Sequence, residues 1–296
     1  MFHYKLYGMH IVSDFELKQL TNLSGTEADL LPQITIQEKE LPKELKREQD
    51  CYFVIAKEKS YISNSYCYLL MENGEKLFYE KKENVTPQLL NAYLLGWGIA
   101  TLVYQRGELA IHCSCVKKDG RAILISGNSG SGKSTVTNEL LKRGYSFMAD
   151  DMSVVKMIEE EVIATAAFPY QKLCRDAALA CGMPYEEMIY VDEDKDKFLV
   201  PCKDTFEDEP VPVKAMVILT RTKEDRINVQ ELIGADKFRA CMDSLFLSPL
   251  LGEDLYKPEN GVRVMKFASR IPLYQISRPV GRNTKEEIME EILKIL

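Results

Sequence analysis

Apolar positions are grouped differently in the two parts of this chain. Over residues 1–86 they fall in short runs rich in aromatic and β-branched side chains, at 4–12, 34–37, 51–56, 61–63, 66–71 and 77–79. Runs of this length and composition predict strands. Asn73-Gly74 separates the last two runs and is a strong hairpin signal. The expectation is a small, mostly antiparallel, β-rich region. The Lys- and Glu-rich stretch 38–50 reads as a solvated loop or short helix, and His3 and His10 read as structural.

From residue 87 the runs lengthen. Thr86 and Pro87 suit the N-cap and first position of a helix. The apolar stretch 88–105 that follows is interrupted by Asn91, Gly96 and Gly98. Its apolar core falls short of the roughly 20 residues a span needs, so it predicts a buried helix against a sheet and no membrane span. A strand at 109–116 carries His112, and a turn at 117–120 leads to a short apolar strand at 122–125. A helix with Val136, Leu140 and Leu141 at helical spacing ends in Lys142-Arg143, with Gly144 as its cap. Strands are expected at 145–148, 153–157 and 162–167. Residues 168–173 read as a loop entering a helix near 175–180, and 190–197 as a densely charged segment. A buried strand at 213–220, a helix at 236–247 and late strands at 265–268 and 273–276 follow. An amphipathic helix at 285–296 carries Ile288, Ile292 and Ile295 on one side. The boundaries expected are 1–86 for the β-rich region and 87–296 for the second domain.

The chemistry concentrates between strand and helix. Gly127-Asn128-Ser129-Gly130-Ser131-Gly132-Lys133-Ser134 fits G-x-x-x-x-G-K-[ST]. Glycines let backbone N–H groups converge on phosphate oxygens, because no Cβ blocks the approach. The helix N-terminus favours the same anion. Lys133 is expected to reach the β/γ-phosphates and the Ser134 hydroxyl to hold Mg²⁺; the nucleotide-binding positions run from Gly127 through Thr135. Asp150-Asp151 ends the next strand, only one helix after the loop. A parallel βαβ unit brings these acids beside the loop at the C-terminal ends of the strands. One acid suits Mg²⁺, the other a proton.

Composition narrows the partners. The 296 residues are 46% hydrophobic and 28% charged, with a formal net charge of −7. This balance argues against nucleic acid or an anionic membrane as the main partner. Met1-Phe2-His3-Tyr4-Lys5 leads into no apolar signal segment. The eight cysteines, at 51, 67, 113, 115, 174, 181, 202 and 241, contain no CxxC pair and read as reduced packing residues of a cytoplasmic protein.

The strand with His112, the loop at Gly127–Ser134 and the early Asp150-Asp151 resemble the HPr serine kinase/phosphorylase family, whose superfamily includes ATP-dependent phosphoenolpyruvate carboxykinase. Phe168 to Leu173, Lys197 to Pro201 and the strand at 213–220 are similar to the family's later segments. Kinase-like proteins that phosphorylate lasso peptides are similar as well. The resemblance covers roughly residues 87–280 and implies an α/β fold: a P-loop kinase core of the HPr kinase/phosphoenolpyruvate carboxykinase type with a mixed sheet. It also implies ATP and Mg²⁺ as cofactors and a peptide, protein or small-molecule acceptor with a serine-like hydroxyl. Asp150 would be the base with His112 beside it, Lys133 would stabilise the transferred group, and Ser134 and Asp151 would hold the metal. Lys172 and Lys197 are further candidates for phosphate or substrate contact. The longer Glu- and Arg-containing signature that follows the Asp pair in HPr kinases is not found, which argues against HPr as acceptor and against the reverse phosphorylase reaction. An ATP-binding regulatory module without phosphotransfer and a carboxykinase-like enzyme are the alternative functions. Homo-oligomerisation is left open.

Overall fold

The computed structural model describes every residue except 26, 47–50, 84, 180, 181, 183, 192–195 and 296. Parts of the 38–50 and 190–197 stretches, the end of the helix expected near 175–180, and Cys181 therefore lie outside the described residues.

The N-terminal part forms a sheet from β1 (Phe2–Leu6), β2 (Met9–Ser13), β3 (Thr21–Asn22), β4 (Gln33–Glu38), β5 (Tyr52–Val54), β6 (Lys59–Ser63), β7 (Cys67–Glu72) and β8 (Lys76–Lys81), with the short helix α1 (Glu27–Leu30) outside it. The spatial order among the described residues is β3-β1-β2-β4-β8-β7-β6-β5. Most pairings are antiparallel; β4 runs parallel to both β2 and β8. The run at 4–12 is two strands rather than one, because Tyr7 and Gly8 turn it back with φ of 51° and 68°. Asn73 and Gly74 turn β7 into β8 with φ of 57° and 70°, the doubly left-handed conformation this dipeptide favours.

Helices α2 (Pro87–Tyr93) and α3 (Ile99–Gln105) continue one another through a wider π turn at Leu94–Gly98. Thr86 Oγ1 caps the start by accepting the Leu89 N–H at 3.2 Å. Leu90, Leu94, Ile99 and Leu102 are buried among residues of both sheets, so one apolar cluster joins the N-terminal sheet to the rest of the molecule.

The second sheet contains β9 (Leu109–Ile111), β10 (Cys113–Lys118), β11 (Arg121–Gly127), β12 (Ser146–Ala149), β13 (Ser153–Ile158) and β14 (Glu161–Thr165). Helix α4 (Lys133–Lys142) links β11 to β12. A small separate sheet holds β15 (Tyr170–Cys174), β16 (Ile189–Val191) and β17 (Lys197–Pro201), with α5 (Arg175–Leu179) packed on it. The long β18 (Val211–Thr222) returns to the second sheet, followed by β19 (Asn228–Glu231), α6 (Gly234–Asp243), α7 (Ser248–Leu251), α8 (Pro258–Arg270), β20 (Leu273–Pro279) and α9 (Lys285–Ile295). Its order is β12-β10-β11-β18-β14-β13-β9, with β20 pairing β18 and β19 pairing β20. Side chains alternate between faces along each strand. Ala122 and Leu124 join the large cluster on one face of β11, while Ile123 and Ile125 pack with Val136 and Leu140 of α4 and Ile288, Met289 and Ile292 of α9 on the other. Burial on both faces explains the continuous apolar runs.

Four sequence expectations are corrected. The strand at 109–116 is broken at His112: β9 pairs with β13, whereas β10 pairs with β11 and β12. Strands β11 and β12 are not neighbours, because β10 lies antiparallel between them; the crossover through α4 skips one strand. Residues 170–174 form β15 rather than a loop, since their alternating burial lets them pair with β17. Residues 265–268 are helical, within α8, whose buried Val264, Phe267 and Ala268 follow helical spacing. Buried thiols at Cys67, Cys113 and Cys241 are pushed up to about 12 by burial, in keeping with packing roles. Among the described residues no helix is long and apolar enough to cross a membrane.

Candidate functional site

Three parallel strands, β11, β18 and β20, end side by side, with Gly127 opposite Leu219 and Arg221 opposite Arg278. The glycine loop starts at this edge. Gly127 has φ of 143°, and a Cβ there would stand 2.4 Å from Leu219 O and 2.6 Å from Ser131 Oγ. Only glycine fits so close to a neighbouring strand's backbone. Gly130 and Gly132 also take positive φ, 78° and 109°. Asn128, Ser129 and Gly130 are exposed, while Ser131 is buried and its N–H donates to Asn128 O at 3.0 Å. Lys133, Ser134 and Thr135 form the first turn of α4. Arg278 straps the loop from below: its Nε and Nη2 donate to Ser131 O and Gly130 O, each at 2.8 Å.

The acids follow β12. Asp150 is buried; it accepts Ser114 Oγ at 2.5 Å on one oxygen and the Lys172 N–H at 2.9 Å on the other. Burial pushes its carboxyl above the usual range, against the opposing pull of these two donors. Asp151 is the centre of a three-residue turn, with φ of 66° and the Met152 N–H donating to Asp150 O at 2.8 Å. A positive φ at the centre of such a turn is the rare, strained form, and strain of this kind concentrates at functional sites. Burial acts to raise Asp151 too, but Lys172, His112 and Lys197 together outweigh it and hold its carboxyl low. Lys172 Nζ lies 3.4 Å from Asp151 Oδ2.

His112 joins the two groups. Its backbone N–H donates to Ser244 O at 2.7 Å, which holds the break between β9 and β10. Its Nδ1 lies 2.9 Å from Asp151 O and its Nε2 3.5 Å from Lys133 Nζ. A carbonyl can only accept, so Nδ1 carries the proton and Nε2 presents its lone pair to the lysine. Burial keeps the imidazole below its ordinary value, with Lys133 adding to that effect and Asp151 opposing it. Lys133 also donates to Gly127 O. Burial lowers Lys133, while Asp150 and Asp151 act to raise it.

The expected residues thus converge: the loop, Lys133, His112, Asp150 and Asp151 share one end of the sheet, and Lys172 and Lys197 reach it from β15 and β17. Sequence reasoning missed Ser114, the Lys172 N–H and Arg278. Ser114 sits two positions beyond His112 on the same strand, and Arg278 stands at the C-terminal end of a late strand, where ligands of parallel sheets bind. That position was its one legible signal.

A cleft opens beside the acids. Its walls are Tyr7 and Gln19 of the N-terminal part, Asn91, Ala92 and Leu95 of the apolar helix, Phe168, Tyr170 and Lys172, residues 189–191 and Phe246, with Asp150 and Asp151 at its base. Tyr7 fixes the N-terminal sheet against this floor: its hydroxyl donates to Met152 O at 2.9 Å and its N–H to Ala166 O at 3.0 Å.

A match to a protein family falls on this same stretch. The family model described as HPr Serine kinase C-terminal domain matches residues 106–174, from the end of α3 to the end of β15. Over this stretch the chain is similar to HPr kinases. It is 29% identical over 106 residues to the HPr kinase/phosphorylase of Lachnoclostridium phytofermentans, covering 36% of this chain and 32% of that protein. It is 32% identical over 113 residues to the HPr kinase/phosphorylase of Latilactobacillus sakei, covering 35% and 36%. The aligned parts span about a fifth to a third of the length of these and similar curated relatives. Among solved structures, the Hpr(Ser) kinase/phosphatase from Coxiella burnetii aligns with a TM-score of 0.33 and 14% identity, over 62% of this chain and 94% of that one.

Proposed function

We propose that the chain is an ATP- and Mg²⁺-dependent kinase that transfers the γ-phosphoryl group to a hydroxyl, with Asp150 as base. What carries this reading is His112, whose two ring nitrogens touch Lys133 of the loop and the backbone of the acid pair at once. Loop and acids therefore address the same small volume. The match to the HPr kinase C-terminal domain over residues 106–174 supports the same chemistry.

Phosphoryl transfer needs positioning and charge stabilisation. The N–H groups of the glycine loop and the start of α4 suit a polyphosphate, and Lys133 adds positive charge. A magnesium ion is commonly held by one or two protein oxygens and completed by phosphates; Ser134 and Asp151 would be those donors. When bound, the ion neutralises charge on the phosphate oxygens. Asp151, held ionised by its cations, suits that task. Asp150 suits the other: buried and raised, its carboxylate is a better proton acceptor than a solvated one. The acceptor oxygen bonds to the γ-phosphorus as the bond to the β,γ-bridging oxygen breaks. ADP leaves, and the hydroxyl proton passes to Asp150. His112, neutral and with a fixed tautomer, orients Lys133.

The test is transfer from γ-labelled ATP to hydroxyl-bearing acceptors. The expected result is a labelled product with the parent chain. Asp150→Asn should bind nucleotide as the parent does but transfer roughly 10²–10⁴-fold more slowly, the usual contribution of a positioned base. Transfer at the parent rate would remove Asp150 from this role. Tight nucleotide binding without product from any acceptor would leave a nucleotide-binding module in place of a kinase.

A further inference from the structure

Two residues other than glycine take left-handed backbone angles on either side of one hydrogen bond. Tyr7 and Gly8 form the two-residue turn between β1 and β2, with φ of 51° and 68°. Such turns favour asparagine, aspartate and glycine, because both central residues must adopt positive φ. For a side chain as bulky as tyrosine that conformation is an outlier. Opposite it, Asp151 has φ of 66° in its three-residue turn. The bond between the two turns runs from the Tyr7 hydroxyl to Met152 O at 2.9 Å. Backbone strain persists only where the surroundings over-determine it, and both partners are enclosed: Tyr7 is 2% exposed and Met152 4%.

Each carbonyl of the acid turn accepts from a different element. Asp150 O accepts the Met152 N–H at 2.8 Å, which closes the turn. Asp151 O accepts His112 Nδ1 at 2.9 Å, which ties it to the break between β9 and β10. Met152 O accepts Tyr7, which ties it to the N-terminal sheet. Tyr7 is anchored beside the same strand. Its N–H donates to Ala166 O at 3.0 Å, and the next residue, Ala167, donates its N–H to Met148 O of β12 at 2.8 Å. Burial pushes the Tyr7 phenol well above its ordinary value, and Asp151 adds to that, so the hydroxyl stays a donor. A buried tyrosine hydroxyl needs a partner wherever it lies, but that need alone does not place a tyrosine at a left-handed turn position.

Resting on the kinase reading above, we propose that Tyr7 is a positioning residue for Asp151. By fixing Met152 O it keeps the strained turn closed and the Asp151 carboxylate beside Lys172, where it would serve as a magnesium donor. One hydroxyl thereby makes the N-terminal sheet part of the catalytic apparatus.

The experiment is calorimetry of ATP binding to the full chain, with and without Mg²⁺. Tyr7→Phe removes the hydroxyl and keeps the ring. Tyr79→Phe is the control: it removes another buried tyrosine hydroxyl from the same sheet, one that donates to Asp14 Oδ1 at 3.0 Å. The parent chain should bind ATP more tightly with Mg²⁺ than without. In Tyr7→Phe the affinity without Mg²⁺ should be unchanged, and the affinity with Mg²⁺ should fall about 10-fold, the low end for a group acting behind a metal donor. Tyr79→Phe should match the parent in both. Parent-like affinity for ATP with Mg²⁺ in Tyr7→Phe overturns this inference and leaves the kinase reading standing. So does an equal loss with and without Mg²⁺, or an equal loss in Tyr79→Phe, since either would mean a general loosening of the fold. A parent chain that binds ATP no better with Mg²⁺ overturns the metal role of Asp151, and this inference with it. A parent chain that binds no ATP overturns the kinase reading itself.

Discussion

The glycine loop and the junction between the apolar helix and the N-terminal sheet both depend on glycine, but for different reasons. At the loop the close contact is backbone on backbone: a Cβ on Gly127 would press on Leu219 O at 2.4 Å, with φ at 143°. At the junction it is backbone on side chain: a Cβ on Gly98 would meet Leu77 Cδ1 at 2.4 Å, with ordinary helical φ. A strand carbonyl held by a parallel ladder cannot yield. A leucine methyl can move, although Leu77 is fully buried and has little room. The first region uses glycine to shape the proposed nucleotide site, the second to bring two layers together. The same substitution should therefore have different consequences.

The largest effect is expected for Gly127→Ala. Positive φ and the clash with the neighbouring strand together cost about 2–4 kcal/mol, beyond ordinary overpacking. The loop's N–H groups would also be turned away from a common centre. Nucleotide affinity, measured by calorimetry on the folded fraction, should fall by about ten-fold or more. Parent-like affinity would mean that the loop does not need this close approach.

Gly98→Ala is the sharper comparison. Alanine gains about 1 kcal/mol over glycine in a helix interior, while forcing a methylene into a packed core costs about 1–3 kcal/mol. The clash wins by a small margin, because Leu77 has no space to retreat into. Denaturant unfolding should show a loss of about 1 kcal/mol with nucleotide affinity unchanged. If Gly98→Ala weakened nucleotide binding as much as Gly127→Ala, the two glycines would be serving one coupled element.

The difference between these regions also explains what the sequence made legible. The loop could be read residue by residue, because its chemistry demands particular types at fixed spacing; Gly127 through Ser134 and Asp150-Asp151 converge as expected. The N-terminal sheet could be read only as short aromatic and β-branched runs, which located most strands but not their order or the parallel pairings of β4. The break at His112 was hidden because 109–116 carries no glycine, proline or turn signal, and only partners distant in sequence, β13 and Ser244, divide it. Residues 265–268 were misread because four residues cannot distinguish a period of 2 from one of 3.6. The cleft was not legible as a structure: Gln19, Asn91 and Phe246 carry no motif, and only tertiary packing gathers them around Asp150.

The smallest effect concerns the two acids, neighbours whose titrations diverge. Burial raises Asp150, whereas Lys172, His112 and Lys197 hold Asp151 low against its burial. The signs follow from linkage. Asp150 ionises at higher pH folded than unfolded. Its charge therefore destabilises the fold once pH rises above the unfolded value of about 3.9, and the cost is full above its folded value. Asp151 ionises at lower pH folded than unfolded. Its stabilisation is present above the same unfolded value and is lost as pH falls through its folded value. At pH 7, Asp150→Asn should raise Tm slightly: its carbonyl can still accept the Lys172 N–H, and Ser114 can turn its hydroxyl to accept the new amide. Asp151→Asn should lower Tm slightly, because it removes the carboxylate charge that Lys172, His112 and Lys197 stabilise. Both differences should shrink toward zero in acid, where the parent carboxyls are protonated. In transfer assays the acid limb of the rate profile should begin at higher pH than for an ordinary carboxylate, because the base must be ionised to act. Equal Tm shifts of the same sign for the two variants would show that Asp150 and Asp151 share one environment, and their assignment to separate tasks would fail.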